Sequence, residues 1–175
     1  MEYIVIDTET TGTEPGFHEI LQVSAITDEG EVLFDSLFRP HAKSWVDAMH
    51  INNITPEMVR YAPRIERRTE ELGNIIGNAK KIVGYNTSFD LKFLMEKGIV
   101  PPKDAEIVDV MNLFAPIYGE MDKKRGRYRW QKLALAANYY NFDWGSLSIK
   151  AHNSLADCFA TLHVYKAITE NGKDI

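Results

Sequence analysis

A chain of 175 residues, 45% of them hydrophobic, fits a single folded domain spanning 1–175 with an ordinary core. Its formal charge of -5 argues against a protein that coats nucleic acid by bulk electrostatics, though not against a nuclease whose acids carry metals, and lone Cys158 excludes an internal disulfide framework or a Cys-based zinc site. Met1 leads directly into the first predicted strand with no signal segment or membrane span, so a cytoplasmic protein without a membrane partner is expected.

Residues 3–6, Tyr-Ile-Val-Ile, are aromatic or β-branched without polar alternation, the pattern of a central strand covered on both faces. Asp7 and Glu9 end it. With a side-chain period of two they point the same way and Thr8 the opposite way, so both carboxylates face one site. Two anions so close repel unless a cation lies between them, and a hard divalent ion with oxygen ligands answers that need. The alternative is a pair of solvated acids that end the strand.

Residues 12–16 hold Gly12, Pro15 and Gly16 and read as a loop. Phe17 follows, either stacking on a substrate base or packing inward. Residues 20–26 and 32–38 are apolar runs separated by Asp28-Glu29-Gly30, a hairpin signal, so the first three strands are expected to be antiparallel. A short helix is predicted over 45–49, another after the cap-like Thr55-Pro56-Glu57, and a longer amphipathic one over 65–79. His50 lies between the first two, as a loop histidine or a substrate contact. Residues 81–85 read as a strand that runs through Asn86 and Phe89 into a helix ending near Gly98, with Asp90 in its first turn. Helix-end electrostatics alone would explain Asp90, but strand followed by helix also brings it to the sheet edge that carries Asp7. An edge strand over 106–108 and a helix over 109–117, capped by Asp109, come next.

Residues 123–132 form the one dense basic run, in which Lys123, Lys124, Arg125 and Arg127 suit a phosphate backbone, Tyr128 exposed bases, and Trp130 the core; the alternative is a solvated, mobile loop. A helix over 133–140 follows. In His152-Asn153-Ser154-Leu155-Ala156-Asp157, Ser154 and Asp157 have capping-box spacing, so helix-end chemistry alone would explain Asp157. The same spacing places it in the first turn of the last helix with His152 just before, close enough for both to reach one site. A histidine there could take a proton from water. His18, His41 and His163 read as structural.

In order and spacing, Asp7-Thr8-Glu9-Thr10-Thr11-Gly12, residues 86–90 and residues 152–157 resemble the DEDD-type 3′-to-5′ exonucleases with a catalytic histidine, over nearly the whole chain. His50-Ile51 before Ile54-Thr55 is similar to that family's His-Gly-Ile-Thr segment, with Asn52 and Asn53 in place of the glycine, and Tyr85 stands where the family usually has histidine. The resemblance implies a ribonuclease H-like α/β fold with a mixed five-stranded sheet flanked by helices. It implies that Asp7, Glu9, Asp90 and Asp157 hold two Mg²⁺ or Mn²⁺ ions, about 3.5 to 4 Å apart in such sites, and that His152 is the general base. Thr8, Thr10, Thr11, Gly12, Phe17, His50, Asn86, Phe89 and the basic run are the expected substrate contacts. The expected activity is release of nucleoside 5′-monophosphates from single-stranded or frayed DNA 3′ ends, with RNA as the alternative polymer. A non-catalytic binding module is disfavoured because all five expected catalytic residues are present. A proofreading role would need a DNA polymerase partner, whereas the chain end soon after the last predicted helix favours a stand-alone enzyme.

Overall fold

The structure is a computed structural model that describes residues 1–146 and 153–171. Strand β1 (Ile4–Thr10) lies at the centre of a five-stranded sheet. The uninterrupted apolar run is satisfied on both sides. Ile4 and Ile6 pack on one face with Leu72, Ile76 and Leu94, while Val5 packs on the other with Val110, Phe114 and Cys158. Each such side chain, fully buried, contributes about 1.5–3 kcal/mol. Strand β2 (Ile20–Thr27) pairs antiparallel with β1, and β3 (Val32–Leu37) antiparallel with β2, as the hairpin signal predicts. On the other side β4 (Lys81–Gly84) runs parallel to β1 and β5 (Glu106–Asp109) parallel to β4, giving the order β3-β2-β1-β4-β5.

Helix α1 (Val46–Asn52) follows the third strand and borders a small cluster of Leu21, Trp45, Ile54 and Val59. Helices α2 (Thr69–Gly77) and α3 (Thr87–Met95) supply one apolar layer. The opposite layer comes from α4 (Val110–Tyr118), α5 (Leu133–Tyr139) and α6 (Ser154–Asn171). Asp109 caps α4 as expected, accepting from Met111 N at 3.0 Å. Its Oδ1 also accepts from Asn86 N at 2.9 Å, which ties the start of α3 to the edge strand. Helix α3 closes where predicted, with Gly98 at φ 75 and Ile99 N donating to Leu94 O.

Two predicted helices differ from expectation. Residues 65–79 are not continuous: a single 3₁₀ turn, Ile65–Arg67, is separated from α2 by Arg68 at φ -124, whose guanidinium lies 4.8 Å from the Phe34 ring centre. After Thr55 the chain makes turns closed by bonds such as Met58 N to Thr55 O. Ile54 and Val59 anchor that segment to Trp45 and leave too few residues to nucleate a helix. The basic run emerges as a short hairpin of β6 (Met121–Asp122) and β7 (Arg127–Tyr128). No described helix is long and apolar enough to cross a membrane.

Candidate active site

Strands β1 and β4 are parallel and pair only at Ile4–Ile82 and Val5–Val83, so β1 runs on past β4. Asp7 and Glu9, which the sequence pattern puts at the strand's end, lie inside its C-terminal part, at the same edge where α3 starts after β4. Asp7 and Glu9 share the parity of Val5 and therefore face the α6 layer. Helix α6 brings Asp157 to meet them, and one oxygen from each of Asp7, Glu9 and Asp157 lies within 4.8 Å of the others. Asp90 is not one of that trio. Thr8, pointing the opposite way as its parity requires, donates to Asp90 Oδ1 through its amide (3.0 Å) and its hydroxyl (2.7 Å).

The first turn of α6 is held by contacts far apart in sequence. Asn153, not Ser154, is the cap: its Oδ1 accepts from Leu155 N at 3.1 Å and its carbonyl from Asp157 N at 3.0 Å. Ser154 is buried instead, with its hydroxyl 2.6 Å from that of Ser24 and its amide donating to Gln22 Oε1. Ser24 and Gln22 both donate to Asp35 Oδ1. This network docks the helix on β2 and thereby sets where Asp157 lies. His152 is outside the described residues.

The carboxylates raise one another. Asp7 is pushed well above the usual carboxylate range, first by burial and then by the charges of Asp90, Asp157 and Glu9. Glu9 is pushed up to about 8 by burial, Asp157 and Asp90, with Asn52 pulling the other way. Asp90 rises to about 7, mainly through burial, against the Thr8 hydrogen bonds that lower it. Asp7 Oδ2 is buried and has no hydrogen-bond partner. An oxygen-only donor set, mutually repelling and with an orphaned buried oxygen, fits a hard divalent cation.

This electrostatic strain predicts how stability responds to pH and metal. A carboxyl raised on folding contributes stability that is complete below its unfolded pKa, near 4, and is lost as pH rises through the folded value, here about 7 for Asp90 and about 8 for Glu9. The metal-free melting temperature should therefore fall between pH 5 and 8. Mg²⁺ should restore about 2.7 kcal/mol at 100 times its dissociation constant, and shift melting more at pH 8 than at pH 6. A melting temperature insensitive to Mg²⁺ at both pH values would count against a preformed site.

Two cavities flank the carboxylates. The smaller, about 390 Å³, is lined by Glu9, Thr8, Thr10, Thr11, Gly12 and Phe89, together with residues of α1 and His18. Gly12 is required there, because a Cβ would run into the His18 ring. The larger, about 820 Å³, contains Asp7, Asp157, His50, Tyr85, Trp130 and Trp144 in its wall. Ile51 lines both. Of the expected contacts, Thr8, Thr10, Thr11, Gly12, Phe89 and His50 are thus gathered around the acids. Asn86 lines neither cavity; it starts α3 in the left-handed conformation at φ 69. Phe17 is 80% exposed beside a separate hollow with Phe93 and Glu96, so it does not pack inward. Arg125 and Arg127 line a hollow of about 290 Å³ on the hairpin, and Lys123 and Lys124 lie in the hairpin's connection.

Trp130 overturns an expectation. It is 52% exposed rather than core, with the Arg127 guanidinium 4.2 Å from its ring centre. The short hairpin carries it out of the apolar layers, where hydrophobicity alone would have placed it. Asn52, which the sequence offers only as one of two residues replacing a glycine, is a further site residue. Buried at the end of α1, it donates to Thr10 O at 3.2 Å and accepts from Ile54 N at 3.0 Å, bracing the end of β1. Asn53 adopts φ 59, the left-handed geometry a glycine takes readily, which explains how asparagine stands in for one here.

A mixed sheet with helices on both faces and a carboxylate cluster at the end of its central strand defines the ribonuclease H-like class. Residues 4–165 match the exonuclease family model RNase_T, and the chain belongs to that exonuclease family, whose members act on nucleic acid and need a divalent metal. The chain is 29% identical to the uncharacterized exonuclease CP81 of Escherichia phage 186, over 97% of this chain and 89% of that protein. It is 25% identical to the PolC-type DNA polymerase III of Staphylococcus haemolyticus, over 99% of this chain but only 12% of the polymerase. In fold it is similar to exonuclease X in complex with 5′-overhanging duplex DNA (TM-score 0.65, 22% identity, 97% of this chain and 92% of that one). It is likewise similar to E. coli exonuclease I in complex with a dA16 oligonucleotide (TM-score 0.75, 20% identity, 98% and 42%). The resemblance carried by the three motifs is borne out.

Proposed function

We propose that this exonuclease hydrolyses DNA from the 3′ end, at single-stranded or frayed termini, and releases nucleoside 5′-monophosphates. The observation that carries the reading is the trio Asp7, Glu9 and Asp157, with one oxygen of each within 4.8 Å of the others, a buried Asp7 oxygen without a hydrogen-bond partner, and a cavity on either side. These three, with Asp90, would hold two Mg²⁺ or Mn²⁺ ions. Bound there, the ions supply stabilisation of the attacking and leaving oxygens in an in-line displacement at phosphorus. The chain's own residues do the rest. Phe89 and Ile51 offer apolar surface to a terminal base, and His152 takes the proton from the attacking water. The DNA in the complexes of the two fold neighbours supports the choice of polymer.

The test is cleavage of matched 5′-labelled DNA and RNA oligonucleotides with Mg²⁺, with Mn²⁺ and with EDTA. A ladder shortening from the 3′ end, faster on DNA and abolished by EDTA, is expected. Faster cleavage of RNA would overturn the polymer, shortening from the 5′ end the polarity, and no cleavage the catalysis. Charge on the hairpin should matter as well: Lys123 and Lys124 enter no ion pair among the described residues, and Arg125 reaches Asp122 only at 3.9 Å. Changing all three to Gln should weaken binding of single strands and reduce the slope of log affinity against log salt by about 0.7 per lost phosphate contact. An unchanged slope, measured by fluorescence anisotropy, would make the run a solvated loop.

A further inference from the structure

Tryptophan is costly to leave in water, and the other two tryptophans show how this chain usually treats it. Trp45 is 6% exposed and donates to Ile54 O, and Trp144 is partly buried against Phe142. Trp130 is 52% exposed, yet Arg127 lies against its ring and the residues on either side of it are fastened. The Arg127 guanidinium lies over its ring at 4.2 Å, and on its other side in sequence Gln131 is fastened twice. The Tyr85 hydroxyl donates to Gln131 O at 2.8 Å, which ties the segment to the end of β4, and Gln131 Nε2 donates to Glu120 Oε2 at 3.0 Å. Arg129 closes the base of the hairpin through its amide to Glu120 O and its guanidinium to Glu120 Oε1. A rigid exposed aromatic loses little entropy when something stacks on it.

Its position says what that something is. Trp130 lines the same cavity as Asp7 and Asp157, and beyond it lies the cationic hairpin of an otherwise acidic chain. A strand whose terminal nucleotide occupies the smaller cavity beside Glu9 would cross the carboxylates and run toward that positive charge. We propose that Trp130 is a stacking platform for a base of the unpaired strand upstream of the scissile linkage, so that this exonuclease selects single-stranded 3′ ends several nucleotides long. The selection follows from geometry, because a base inside a duplex already has both faces stacked and offers none to the indole. Arg127 has two roles here: it fixes the ring and places a positive charge next to the backbone of the stacked nucleotide. The inference rests on the nuclease reading of the carboxylate site, but it concerns binding and can be tested apart from cleavage.

The test is a two-by-two comparison of binding by fluorescence anisotropy. The protein, wild type or Trp130→Ala, is titrated in EDTA with a single-stranded DNA of twelve nucleotides, or with the same DNA made abasic at the second to fourth positions from its 3′ end. A stacked base is worth about 5- to 150-fold in affinity, so Trp130→Ala should weaken binding of the intact strand by that factor and leave binding of the abasic strand nearly unchanged. Trp130→Phe should keep most of the affinity. Equal losses on both strands would mean that the ring touches none of those bases, and no loss on either would mean that it binds no strand; each result overturns the platform. Thermal melting of both variants guards against misfolding, since a folded Trp130→Phe protein keeps the comparison valid if Trp130→Ala unfolds. Should the wild type fail to cleave any oligonucleotide, the nuclease reading falls while this binding comparison still decides the role of Trp130.

Discussion

Asp7→Asn is expected to lower metal-dependent cleavage by on the order of 10³-fold or more while raising the melting temperature of the metal-free protein. The two effects have one cause. Asp7 sits among Glu9, Asp90 and Asp157, its Oδ2 is buried without a partner, and its acidity is suppressed by burial and by those three charges. An amide keeps the shape and removes the charge, so repulsion in the empty site falls. The same amide cannot replace an anionic ligand, and the several kcal/mol of transition-state stabilisation that a bound metal supplies would be lost, which converts to the stated factor. Single-turnover cleavage and thermal melts with and without Mg²⁺ measure both. Near-normal cleavage would remove Asp7 from the site. Lost cleavage together with a lower metal-free melting temperature would mean that the substitution damaged the fold instead.

His152→Ala should cut turnover by about 10²- to 10⁴-fold, the usual contribution of a positioned general base, and leave metal binding nearly intact. The signature is the contrast with Asp7→Asn: Mg²⁺ should still raise the melting temperature of the histidine variant but not that of the aspartate variant. Rate against pH gives an independent readout, since the variant should lose the part of the wild-type profile in which activity climbs as the base deprotonates. If Mg²⁺ no longer stabilises His152→Ala, the histidine belongs with the ligands rather than with proton transfer.

Much of the architecture was legible because it follows from short repeats in the backbone. The period of two in β1 separates Ile4 and Ile6 from Val5, and carries on to put Asp7 and Glu9 on one side and Thr8 on the other. Asp109 as a cap, the β2–β3 hairpin around Gly30 and the closure of α3 at Gly98 rest on equally local rules. The helix expected over 65–79 is interrupted at Arg68, where φ is -124 and the guanidinium lies over Phe34, a residue of another element.

At the site, the chain by itself determined which carboxylates exist, which strand and helix starts carry them, and which family they belong to. Tertiary structure decided the rest. Ser154 satisfies a local capping pattern on paper, yet its hydroxyl meets Ser24, 130 residues away, and Asn153 caps the helix instead. Asp90 is engaged by Thr8 across 82 residues, which sets it apart from the close trio. Trp130 has the composition of a core residue and the environment of a surface one, because the hairpin before it and the Tyr85 tether after it hold it at the mouth of the cavity. The physical reason is common to all three. Backbone periodicity fixes which way a side chain leaves its own element, but the partner it meets depends on how distant elements pack, and no local spacing encodes that.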